Sequence, residues 1–457
     1  MAHALTSQNR DISGLDIRVR LEGAVKRMLL VCLVAAAVHA APCPSDVASV
    51  PSTVTAISGN KTVIATAARE YGSGNITVAL FDASLHPTNS ATIASTSTRI
   101  IQLLPSGSGF AIFYERDTRL LMRLIAADGT LQSEKTIAIN DAASAAGPNF
   151  AVAADPSRNG FLVLSAKSAT SGLFLRRINT LGGIDAVETQ VTSDAGPYTA
   201  LSVAATASGV AGAIWATASS PLRLLAIAPD HAQFVTMTGG APALIAASAS
   251  SERFLIVSVS EPDRIIHKTL FDTTAGIIES PTPVIYPAYS NLTPLSLAWS
   301  SLDERFVLLY SVGEGVVRLN RSDADYAREL TDEMVPASTA GGSAGIAALN
   351  ERYVFSDGAA LLRSYCPLRI NVATIPRTVA LNGTLNFSAS GEHGMPPYHY
   401  QWLFYDDNGL TEDATATHTF RTVGLTTVSI AVLDANENWE WRDFLIQVVP
   451  PKRRAVR

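Results

Sequence analysis

The sequence predicts an all-β protein, a ring of repeated four-stranded units followed by a single β-sandwich. Three observations predict it. Short apolar runs flanked by turn residues recur roughly every 50 residues between residues 54 and 365. No stretch sustains a 3.6-residue apolar period, so helix content is small. Beyond residue 366 the repeat stops, and longer alternating strands with more aromatics replace it.

Composition agrees with this class. The chain has 457 residues, 47% hydrophobic and only 16% charged, which suits a β-rich globular protein and excludes a disordered one. A formal net charge of −6 without a basic stripe speaks against nucleic acid as a partner.

The first 40 residues form a separate element. Lys26 and Arg27 precede the apolar run Met28 to Val38, and Val38-His39-Ala40 follows before Ala41. A positive start, a short apolar stretch and a small-residue cleavage site are the layout of a secretory signal peptide, 1–40, with Met28 as an alternative start. The run is too short to span a bilayer, so no membrane span is expected in the mature chain. Of the three cysteines, cleavage would leave Cys43 and Cys366, and two cysteines in an exported chain invite a disulfide.

Aligned on its second strand, the unit 41–366 contains seven copies. They centre on Thr62 to Ala65, Phe110 to Phe113, Phe161 to Leu164, Gly212 to Trp215, Phe254 to Val257, Phe306 to Leu309 and Tyr353 to Phe355. A small alternating strand precedes most of them. A strand carrying Arg or another long side chain follows, and then a more polar fourth strand. Apolar runs of this length suit strands buried on both faces, as in the middle of a propeller blade sandwiched between neighbours. The expectation is a seven-bladed β-propeller, with six or eight blades as alternatives and a β-helix as the runner-up fold. The seventh unit stops after its third strand, and Ser45 to Ser52 is a spare strand able to complete it. Cys366 would then end the third strand of that blade and Cys43 begin its fourth, within disulfide reach. Closing so long a loop would stabilise by about 4 kcal/mol on the chain-entropy model. These units resemble secreted bacterial β-propeller repeats in general. WD, kelch and Asp-box signatures are absent, so the resemblance implies no functional family.

The segment 367–449 is a single unit. Its landmarks are Leu381 to Ser390, Tyr398-His399-Tyr400-Gln401-Trp402, Thr417 to Phe420, Val428 to Leu433 and Phe444 to Val448. In order and length they resemble the PKD domain, which implies an Ig-like β-sandwich with Trp402 in its core. The family's aromatic-Asp-Phe-Gly-Asp-Gly run is here Trp402 to Gly409, and its altered acidic positions put a metal role for that loop in doubt. The tail 450–457 carries four basic residues and reads as a frayed end.

No HExxH, P-loop, GxGxxG or CxxC motif occurs. On propellers, ligands meet loops that join strands two and three. Here those include Glu70, Glu115-Arg116, Lys167, Glu261, Asp263 and Glu314. Paired carboxylates there would support acid–base hydrolysis, whereas the plainer reading is solvated loop charge. The histidines are scattered without ligand spacing on one strand face, so no metal site and no cofactor is expected. Asp323 and Asp325 alone are weak grounds for calcium. Trp439 and Trp441 alternate on a strand and would share a face, either as a platform for a sugar ring or as buried core. The leading functional expectation is an exported, non-enzymatic binding or adhesion protein for a cell-surface polymer or protein, with binding residues among Trp439, Trp441, Glu115, Arg116, Glu261 and Asp263. The alternatives are a secreted polysaccharide hydrolase or lyase and a structural envelope component.

Overall fold

The computed structural model describes residues 47–450 apart from short segments between strands, chiefly 140–147, 284–291 and 339–344. The signal segment, Cys43, Glu261, Asp263 and the tail beyond 450 lie outside the described residues. Apart from the 3-10 turn Pro156–Arg158, every described element is a strand.

The third repeat shows why the unit folds as it does. Pro156–Arg158 makes a tight turn, Asn159 takes a left-handed backbone (φ 47°), and Gly160 opens the strand Gly160–Ser168. A Cβ at Gly160 would lie 2.3 Å from the Ile178 carbonyl oxygen, so only glycine allows that close start. Phe161, Leu162, Val163 and Leu164 are then all buried. Phe161 and Val163 enter the core shared with the preceding sheet, while Leu162 and Leu164 enter the core shared with the next. A strand with apolar cover on both faces has no use for polar alternation, which explains the continuous run.

The same arrangement repeats. Antiparallel sheets occupy 54–93, 99–139, 150–192, 198–236, 240–283 and 293–338, and a further one occupies 346–365. Val47–Ser49 completes that last sheet by pairing with Leu361–Tyr365, where the sequence leaves the unit one strand short. Each hydrophobic core is shared by two consecutive sheets, from Ile112 and Val78 between the first pair to Leu309 and Phe355 between the sixth and seventh. One more core joins Val354 and Leu362 to Ile64 and Phe81 of the first sheet. The first strands of successive sheets also lie against one another, and that of the seventh lies against that of the first. The architecture is thus propeller-like.

Residues 369–449 form two facing sheets. One contains Arg369–Val372, Thr384–Glu392 and Thr415–Thr419; the other contains Thr378–Ala380, His399–Phe404, Gly409–Thr411, Gly424–Leu433 and Trp439–Val449. Between them lie Trp402, Phe387, Phe404, Phe420, Ile430 and Ile446. Trp402 is fully buried and packs against Phe387 with ring centroids 5.3 Å apart.

The two parts are joined by charge. Glu440 is completely buried, with one carboxylate oxygen 3.0 Å from Arg305 of the sixth propeller-like sheet and the other accepting from the Ile370 backbone N–H at 2.8 Å. Arg321, also fully buried, stands 4.0 Å from the same carboxylate and donates to the Leu368 carbonyl at 2.6 Å. Glu329–Ser338, the outermost strand of that sheet, runs beside Trp439–Val449.

Candidate functional site

The outer strands of the second, third and fourth sheets carry one recurring arrangement of cation, carboxylate and aromatic ring. In the second and third sheets an arginine on the third strand faces a carboxylate just before or on the fourth, because antiparallel pairing sets these positions opposite each other; in the fourth sheet the carboxylate, Asp194, instead precedes the first strand. In the second sheet Glu134 lies 3.7 Å from Arg123 and also accepts from Arg116 and the Tyr114 hydroxyl. Burial pushes the Glu134 carboxyl up, but these donors and the two guanidinium charges outweigh it and hold the group below its usual range. Burial, and then the hydrogen bond to Glu134, push the Tyr114 phenol up.

In the third sheet Glu188 pairs with Arg176 at 3.1 Å and with Lys167, whose ammonium sits 4.4 Å from the Phe174 ring centroid. In the fourth, Asp194 accepts from Arg223 and, at 3.1 Å, from the Trp215 indole. Burial raises the Asp194 carboxyl, and donation from Trp215, Thr192 and Arg223 more than offsets it. Burial and the Asp194 charge push the Tyr198 phenol up to about 12.

Between the third and fourth sheets this surface opens into a cleft of about 320 Å³, with Arg158, Arg176, Arg177, Asp185, Val187 and Thr189 among its walls. Val187 is 75% exposed, and Phe234, which pairs with Leu225 on the facing outer strand, is 55% exposed. Phe234 packs tilted against Trp215, with ring centroids 6.0 Å apart and 53° between planes, and carries Arg223 5.9 Å above its ring. Chemically the cleft offers guanidinium donors, apolar edges and carboxylates already committed to cations.

Of the residues expected from sequence, Glu115 and Arg116 end the second strand of the second sheet. Glu115 accepts from Asn149 at 2.9 Å, and Arg116 belongs to the Glu134 cluster. Glu70 accepts from Thr77 and Ser73, and these bonds lower its carboxyl. Trp439 is half-buried; Trp441 is buried, with its indole donating to Asp443 at 2.5 Å. The structure does not bring the tryptophans and the Glu115–Arg116 pair together, since they belong to the sandwich and the second sheet respectively.

Three groupings escape sequence reading. Glu440 stands between the two tryptophans, and its arginine partner Arg305 lies 135 positions away. The pairing of Arg176 with Glu188 needs the strand register to be seen, and that of Arg223 with Asp194 needs the fold. In the sandwich, Asp406, Asp407 and His418 come together from two sheets, with one donor atom of each within 4.8 Å of the others. Cys366 is disulfide-bonded, and its partner lies outside the described residues.

No protein-family profile matches the chain, and no curated protein sequence matches it. Solved structures do. The chain is similar to the extracellular domain assigned to a hybrid two-component system of B. thetaiotaomicron, with TM-score 0.45 and 9% identity over 90% of this chain. It spans 60% of the length of that structure. It is also similar to the WD40 repeats of RRP9, with TM-score 0.48 and 13% identity over 71% of this chain and 98% of that one. A 6-phosphogluconolactonase assignment from Bacteroides uniformis gives TM-score 0.43 and 11% identity, covering 62% and 83%. Among the described residues no helix is long and apolar enough to cross a membrane.

Proposed function

We propose that the chain is an exported, non-enzymatic binding protein, a seven-bladed β-propeller (41–366) and a PKD-like, Ig-type sandwich (367–449) acting as one recognition body for a cell-surface polymer. The seven shared cores and the strand Val47–Ser49 support the blade count. The two facing sheets around Trp402 support the sandwich. The disulfide at Cys366 supports an oxidising compartment outside the cytosol.

The observation that carries the binding reading is the recurrence of paired cation, carboxylate and aromatic ring on three successive sheets, with Arg176 of the third in the cleft wall. A general acid or base must exchange its proton near working pH, and Glu134 and Asp194 are instead held below the usual carboxylate range by hydrogen bonds from Tyr114 and from Trp215 and Thr192, with arginine adding to both. Repeated guanidinium and ring edges suit a repetitive polymer with ring faces and hydroxyls.

The test is incubation with insoluble polysaccharides and peptidoglycan, measuring bound protein and released product together. Retention without product is expected, and a Val187→Asp/Phe234→Ser double variant, altering exposed residues only, should lose it. Released product, or retention unchanged in that variant, would contradict the reading.

The Cys43–Cys366 pairing belongs to the same proposal. Val47 pairs with Arg363, and that antiparallel register carried backwards sets position 43 opposite 367, next to Cys366. Peptide mapping of unreduced protein should yield a fragment cross-linking 43 and 366, and a Cys32–Cys366 link would overturn it.

A further inference from the structure

The turn after His399–Phe404 and the strand Thr415–Thr419 build a small donor set that the polymer-binding reading does not use. His418 Nε2 lies 2.8 Å from Asp406 Oδ1, and both side chains are more than nine-tenths buried, at 8% and 3% exposure. The imidazole is fixed in orientation. It stacks on Phe404 at 4.1 Å with 6° between planes and meets Phe420 edge-on at 4.8 Å. Asp407, exposed, completes the set from the solvent side.

The other oxygen of Asp406 distinguishes this grouping from an ordinary buried acid–imidazole pair. Oδ2 is buried and has no hydrogen-bond partner among the described residues. A buried carboxylate oxygen left without a donor costs about 1–3 kcal/mol, more when charged, so such atoms call for a ligand. Each of the three residues places a donor atom within 4.8 Å of the other two. Tetrahedral sites with ligand distances near 2.0–2.1 Å need donors about 3.3 Å apart, a spacing these side chains reach by small rotations.

We propose that Asp406, Asp407 and His418 form a site for one divalent transition-metal cation of the zinc type. The cation takes the position of the proton on Nε2: a neutral imidazole then carries its one proton on Nδ1, and an imidazolium releases its second proton to solvent. One imidazole nitrogen and two carboxylates suit zinc and its first-row neighbours, whereas calcium prefers six to eight oxygens. The fourth position faces solvent beside Asp407, open to water. Bound there, the metal ties the turn of the five-stranded sheet to a strand of the three-stranded one.

The experiment is titration of the chelator-stripped chain with Zn²⁺, followed by calorimetry and equilibrium dialysis, with Ca²⁺ and Mg²⁺ as parallel arms. One equivalent of Zn²⁺ should bind, with Ca²⁺ and Mg²⁺ much weaker. Asp407→Asn, at an exposed position that leaves the fold intact, should weaken Zn²⁺ at least about tenfold, and His418→Gln should abolish it. Asp413→Asn, exposed in the next connection, between Gly409–Thr411 and Thr415–Thr419, should leave binding unchanged. No stoichiometric Zn²⁺, equal affinity in Asp407→Asn, or preference for Ca²⁺ would each overturn the proposal. Polymer retention is measured on a different surface, so either reading can fail alone.

Discussion

Asp272 shows how a single side chain sets the acid response of this fold. Its carboxylate receives the Arg253 guanidinium at 3.1 Å, the Thr274 hydroxyl at 2.7 Å and the Thr274 and Ala275 backbone N–H groups. Burial alone would raise its carboxyl, but these donors win and lower it from 3.8 to about 2. A folded-state value below the ordinary one means stability that is fully present above pH 4 and lost as pH falls towards 2. The shift corresponds to roughly 2 kcal/mol. Chemical denaturation of wild type and Asp272→Asn should therefore differ by about that amount at pH 7 and converge near pH 2. A gap that persists at pH 2 would assign the effect to packing. Asp406 is the contrasting case, a carboxylate with one oxygen on His418 and the other without a donor among the described residues. Neither residue stands out in the sequence, because two of the four donors to Asp272 are backbone groups and the partner of Asp406 lies on another sheet.

At the scale of the element, the second strands and the last strand behave oppositely as sequence. Phe161 to Leu164 and Phe306 to Leu309 announce burial on both faces, and they are buried on both faces. The repeat was legible for that reason: hydrophobicity alone decides it, and no distant partner has to be known. Trp439–Val449 alternates as a sandwich strand should, with Phe444, Ile446 and Val448 turned to the core. Its first residues are a different matter. Glu440 shares the core-facing side, but beyond the end of the apolar core it meets Arg305 and Arg321. Removing one member of a buried charge cluster typically costs about 3–5 kcal/mol, because the remaining charges stay buried without it. The strand therefore serves two purposes, sandwich core at its end and junction at its beginning. The position of Trp441, buried and hydrogen-bonded to Asp443, belongs to the junction half.

Across the whole molecule, seven cores each shared by two sheets leave no sheet able to bury its faces alone. Pairing of Val47–Ser49 with Leu361–Tyr365 ties the two ends of that series together. The fixed cleft between the third and fourth sheets depends on this, since splaying of the ring would change its width. The repeat and the strand missing from its last unit were legible in the sequence, because both can be counted along the chain. The sequence concealed the cleft and the junction, because they depend on which outer strands and which charges face each other. Glu440 holds the propeller-like sheets and the two-sheet unit together as one body. Scanning calorimetry of the mature chain should show a single cooperative transition for wild type and two separated transitions for Glu440→Gln, with the lower belonging to the two-sheet unit. Two transitions in the wild type, or one unshifted transition in Glu440→Gln, would contradict it.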